Sequence, residues 1–177
     1  MKSFHAWLAI SLVAVCADAS AHSASDAYLT LTVAKGAGST TRIDAQWDIA
    51  LRDLHFVLKL DDDGDGNLTW GEVRKHEARI AAYAYDNLRA SADGRPCAVE
   101  PAKQSIANHA DGAYAALHFT IACRGTPSRI ALDYRLFFAV DPSHRGIVVF
   151  RGGGTVATAL ASPDKANIEF ALPSVTP

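Results

Sequence analysis

Beyond its first 21 residues the chain holds no apolar run of the roughly 20 residues that a membrane-spanning helix needs. Other absences narrow the chemistry. There is no GxSxG, no HExxH and no glycine-rich phosphate loop, so nothing marks a serine hydrolase, a zinc protease or a nucleotide-binding enzyme. No CxxC pair offers a thiolate metal or redox site. The basic residues are scattered, without an aromatic–basic stripe, which argues against nucleic acid as a partner. Internal repeats and low-complexity tracts are missing too. The histidines at 22, 55, 76, 109, 118 and 144 form no close pair at helix or strand spacing. On these grounds the chain reads as non-enzymatic.

What is present begins with an export signal. Lys2 gives a positive start, Trp7 to Ala17 (WLAISLVAVCA) forms an apolar run, and Ala19-Ser20-Ala21 supplies small residues for cleavage. Residues 1–21 are therefore expected to be a signal peptide, leaving residues 22–177 as one domain in a periplasmic or extracellular setting. A lipid anchor at Cys16 is the alternative, and Val15 is a poor residue to precede it. His22 would then be the new N-terminus, where an amine and an imidazole can chelate copper, although a frayed terminus explains it equally well. Of the three cysteines, Cys97 and Cys123 survive processing, and an even pair in an oxidising compartment reads first as a disulfide.

Charge is concentrated in one place. The whole chain has a formal net charge of −2, yet DDDGDGNLTWGE, residues 61–72, holds five carboxylates. Asp61, Asp63 and Asp65 stand at positions 1, 3 and 5 of a twelve-residue loop, Gly66 at 6, Asn67 at 7, Thr69 at 9 and Glu72 at 12. This matches the EF-hand pattern in full. Alternate aspartates on a curling backbone turn their oxygens to one centre, and Gly66 allows the sharp bend. Position 7 contributes its main-chain carbonyl, Thr69 acts directly or through a water, and Glu72 reaches back with both oxygens. An oxygen shell of about seven donors suits Ca²⁺ better than Mg²⁺. Asp62 is left as a bystander. The expected metal ligands are Asp61, Asp63, Asp65, Asn67, Thr69 and Glu72.

Around the loop the periodicities alternate. Residues 28–33 and 43–51 have strand period, and 52–60 a short helical one with Asp53 as a cap. Val73, Ile80, Ala84 and Leu88 share one helical stripe running to about residue 90. His76 falls on that stripe as a packed or rim residue, and Trp70 is expected to pack on the scaffold. Further strands are expected near 97–106, 113–123, 128–139, 145–151, 154–161 and 166–172, with a polar turn at 141–146 held by Asp141 and Arg145. About eight strands predict a mainly β protein, a β-sandwich of immunoglobulin-like architecture, with an EF-hand helix–loop–helix inserted at about 52–90.

Several stretches together resemble a known family: WDIALRDL (47–54), the loop at 61–72, DGAY (111–114), LDYRLFF (132–138) and DPSHRG (141–146). They are similar to the extracytoplasmic domain of HupE/UreJ-type membrane proteins over most of residues 24–151. Members usually continue into several transmembrane helices, and related proteins are thought to be nickel or cobalt permeases. This chain ends at Pro177 without such spans. The resemblance thus carries over only the loop ligands, position by position. The expected function is an exported calcium-binding domain, its ion a structural clamp, docking to a membrane protein or a second copy. The alternative is the periplasmic domain of a nickel/cobalt permease-type protein that captures or gates metal ions.

Overall fold

The computed structural model of the chain describes residues 25–34 and 40–173. The signal-peptide reading of residues 1–21 and His22 lie outside the described residues. In chain order the elements are β1 (Asp26–Val33), β2 (Thr40–Ala50), α1 (Leu51–Leu58), α2 (Trp70–Lys75), α3 (Glu77–Asp86) and β3 (Leu88–Ala92). There follow β4 (Arg95–Pro96), β5 (Ala98–His109), β6 (Gly112–Arg124), β7 (Arg129–Tyr134), β8 (Arg145–Gly152), β9 (Thr155–Ala161) and β10 (Asn167–Ala171). The fold is mainly β and its strands form two sheets, in the orders β5-β6-β2-β1-β8-β9 and β10-β7-β3-β4. The pairings between these strands are antiparallel except that of β1 with β8.

Strand alternation explains the core. In β1 every second residue, Ala27, Leu29 and Leu31, is buried, and in β2 so are Ile43, Ala45, Trp47 and Ile49. The smaller sheet contributes Ile130, Leu132, Ile168 and Phe170 to the same cluster. The helices between β2 and β3 add Leu54, Val73, Ile80 and Ala84, so their apolar faces are covered by the sheets. The Cys97–Cys123 disulfide is formed, with its Cα atoms 4.6 Å apart, next to the Ala98↔Ala122 pair of β5 and β6.

Several expectations need correction. The helical stripe does not run to residue 90: α3 stops at Asp86, and Leu88 is the first residue of β3. Leu88, Ala90 and Ala92 alternate inward because β3 pairs with Tyr134 to Ile130 of β7, and that pairing overrides the helical period. The stripe is also broken at His76, which separates α2 from α3. The strand expected at 128–139 ends at Tyr134; Leu136 and Phe137 reach the core from a turn in which Phe137 has φ 60°. Asp53 is no cap: Ala50 holds that position without a side-chain bond, and Asp53 lies in the first turn of α1. There are ten strands among the described residues, because β3 and the two-residue β4 carry too little pattern to stand out. The 141–146 turn is as expected, with Asp141 accepting from Ser143 N and Oγ at 2.8 and 2.6 Å and Arg145 donating to Pro142 O at 3.0 Å.

Candidate metal centre

The acidic loop is slung between α1 and α2, and both ends are fixed by hydrogen bonds. At the entrance, Lys59 takes a left-handed conformation (φ 51°) and ends α1 by donating its N–H to His55 O. His55 Nδ1 then accepts from the amides of Leu60 and Asp61, at 3.2 and 3.3 Å. A helix-end histidine thereby sets the backbone of the first ligand position. At the exit, Thr69 and Glu72 form a capping box on α2.

Within the loop every carboxylate except that of Asp62 faces backbone donors. Asp61 accepts from Gly64 N at 2.7 Å and Gly66 N at 2.9 Å. Asp63 accepts from Asp65 N at 3.2 Å, and Asp65 from Asn67 N at 2.7 Å. Gly66 has φ 82°, which a side chain would strain. Glu72 spans the loop: Oε1 accepts from Asp62 N at 2.8 Å, while Oε2 accepts from Thr69 N at 2.9 Å and Thr69 Oγ1 at 2.7 Å.

Of the six expected ligands, Asp61, Asp63 and Asp65 come together, with one carboxylate oxygen of each within 4.8 Å of the others. Glu72 and Thr69 are held to each other at the closing end, outside that triad. Asn67 donates its side-chain amide to Asp65 O at 3.4 Å. The donor set is all oxygen, which fits a hard cation. The electrostatics favour one as well. At Asp63 the Asp65 amide pulls the carboxyl pKa down, but repulsion from the Asp65 charge, with help from Glu72, leaves it raised. Asp61 is lowered, chiefly by the Gly66 amide, and Glu72 by the Thr69 amide and hydroxyl, so both favour the ionised form.

Asp62 has work outside the triad. It accepts from Lys75 Nζ at 2.6 Å and His76 Nε2 at 2.9 Å, and these bonds, Lys75 first, lower its pKa. His76 is buried, as a packed histidine should be, and its Nδ1 accepts from Arg79, whose other nitrogen reaches Leu58 O at 2.7 Å. This chain of contacts joins the end of α1, the loop, α2 and α3. Its signal in the sequence was an unassigned aspartate facing a basic-plus-histidine pair thirteen and fourteen residues on. Trp70 departs from expectation: it is 50% exposed and edges an open pocket of about 330 Å³ with Arg52, His55 and Leu68.

No protein-family model matches the chain, and no curated protein matches it. Fold and site together define a two-sheet β domain, closed by one disulfide, that carries an acidic turn between helices. Among the described residues no helix is long and apolar enough to cross a membrane.

Proposed function

We propose that the protein is an exported calcium-binding domain whose loop at 61–72 binds one Ca²⁺ as a structural clamp and presents the domain to a partner. The observation that carries this reading is the convergence of Asp61, Asp63 and Asp65 in a loop whose two ends Glu72 ties together through the Asp62 and Thr69 amides. Asp61, Asp63, Asp65 and Glu72 would hold the ion by their carboxylates, Asn67 by its main-chain carbonyl and Thr69 directly or through water. The ion would supply neutralisation of charges that otherwise repel. In this reading α1, the loop and the two helices after it form an EF-hand inserted into an immunoglobulin-like sandwich. The disulfide supports an oxidising, extracytoplasmic setting. The metal-capture reading implied by the HupE/UreJ resemblance finds no imidazole or thiolate among these six residues to favour Ni²⁺ or Co²⁺.

Calorimetric titration with Ca²⁺, Mg²⁺ and Ni²⁺ on wild type and Glu72→Gln tests the proposal. The expected result is one saturable Ca²⁺ event in the wild type, lost or weakened at least ~100-fold in the variant, with Mg²⁺ weaker. Equal heats in both proteins, or none in either, would sink it.

A further inference from the structure

The two edges of the six-stranded sheet, β5 and β9, are built differently. β5 carries Pro101, a register shift between Pro101 and Lys103, and the charges of Glu100 and Lys103. Proline removes a donor, a bulge twists the ladder, and charges resist a neighbouring strand, so this edge is guarded against pairing. β9 has none of these devices. Its sequence is TVATALA, without a charge or a proline, and its register with β8 is unbroken from Thr155 to Ala161. Among the described residues it pairs only with β8.

Its open side can be read from the hairpin. Gly153 and Gly154 have φ 56° and 77° between the closing pair Gly152↔Thr155, which is a two-residue type I′ connection. The closing pair of such a hairpin exchanges hydrogen bonds, and alternation then aims the backbone groups of Thr155, Ala157 and Ala159 at β8. Val156, Thr158 and Leu160 present their N–H and C=O groups to the open side. The same three residues lie on one face, where Val156 is 63% and Leu160 49% exposed. That face continues onto half-buried Ile147 and Val149, which stand beside Leu160 and Thr158 in the register.

We propose that β9 is a dimer edge and that its occupant is β9 of a second copy of this chain, antiparallel about a two-fold axis through Thr158. The strand is complementary to itself in this register. Thr158 meets Thr158, and Val156 of each copy meets Leu160 of the other, so each exposed apolar side chain covers its counterpart. About six backbone hydrogen bonds form from the groups left open, and no like charges meet. The contact is isologous and closes on itself, while the guarded β5 edge stops the sheet from growing further.

The test is sedimentation equilibrium on residues 22–177, which carry every element of the described fold. A single strand pair lies at the small end of stable interfaces, so the expected result is a reversible dimer with Kd on the order of 10 µM. Thr158→Pro removes an outward N–H that β8 does not use, and Leu160→Lys puts a charge into the apolar pair. Each should weaken the dimer at least about tenfold with an unchanged circular dichroism spectrum. If Thr158→Pro disturbs the fold, Leu160→Lys, altered only at a half-exposed side chain, decides the matter. A wild type that stays monomeric at about 500 µM would overturn the proposal. So would variants that dimerise as the wild type does, whether because the chain's own residues 174–177 cover the edge or because association uses another surface. Because β9 is remote from the loop in the sheet order, chelating calcium should leave the dimer constant unchanged.

Discussion

Glu72 takes the Asp62 amide on one oxygen and the Thr69 amide on the other, so it ties loop position 2 to the cap of α2. Replacing Thr69 by Ala removes the cap's acceptor and should lower stability by about 1 kcal/mol in urea unfolding. A second residue-scale expectation concerns His144, which is fully buried: Tyr134 donates to its Nε2 at 2.9 Å, and its Nδ1 lies 2.7 Å from Ser25 Oγ. Ser25 in turn donates to Asp53 at 2.9 Å. Burial, helped by Arg145 and opposed by Asp141, pushes the His144 pKa from 6.5 down to about 4. The unfolded chain therefore binds a proton in a range where the folded chain does not. Stability from this group is complete above pH 6.5 and is lost as pH falls toward 4. The full loss is ~3 kcal/mol, about 2.5 units at 1.36 kcal/mol each. Urea unfolding at pH 7 and pH 4.5 should show the decline, and His144→Gln should flatten it while costing stability at pH 7. A wild-type profile that is flat across this window would refute the assignment.

At the scale of elements, the disulfide staples the segment before β5 to the end of β6 across a sequence separation of 26. Chain entropy puts its contribution at about 3.5 kcal/mol, so the double Cys97→Ala, Cys123→Ala variant should melt roughly 7–14 °C lower. Gly146, in β8, lies under the Tyr134 ring: a Cβ there would fall 2.5 Å from the ring carbon that bears the hydroxyl. Tyr134 is fully buried between Trp47 and His144, so the ring has little room to yield, and Gly146→Ala should cost ~1–3 kcal/mol. How legible such elements were depended on their length. β1, β2, β6 and β8 alternate over eight or more residues and could be read directly. The loop stood out by its alternate aspartates, and the structure brings Asp61, Asp63 and Asp65 together there. β3 was read as helix because Leu88 continues a 3.6-residue stripe, and only its partner β7 decides otherwise. LFF at 136–138 looked like strand, yet a left-handed Phe137 turns the chain there. Neither the His55 bond to the Asp61 amide nor the bridge from Asp62 to Lys75 and His76 follows any local period. They arise when the ends of α1 and α2 are brought together.

At the scale of the whole molecule, two sheets and three helices among the described residues meet in one apolar cluster. Leu54, Val73 and Ile80, all 0–1% exposed, couple the helices on either side of the loop to that cluster. A ligand that binds only the folded loop should stabilise the entire domain by mass action. At free Ca²⁺ ten times the dissociation constant the gain is about 1.4 kcal/mol, or ~3–6 °C in melting temperature. Differential scanning calorimetry with Ca²⁺ against a chelator should show this shift, and Asp61→Asn should abolish it without lowering the melting temperature seen with chelator by more than ~3 °C. A shift that survives in the variant would place the ion elsewhere. The carboxylates of the loop also bear on the order of assembly. Asp61, Asp63, Asp65 and Glu72 each accept from a backbone amide of their own loop, so its curvature is supported by local hydrogen bonds. A cation bound as proposed would meet a turn that these hydrogen bonds already shape, and folding would not have to wait for it. Calcium would then act on the lifetime of the finished domain, and the yield of refolding would be the same with or without it.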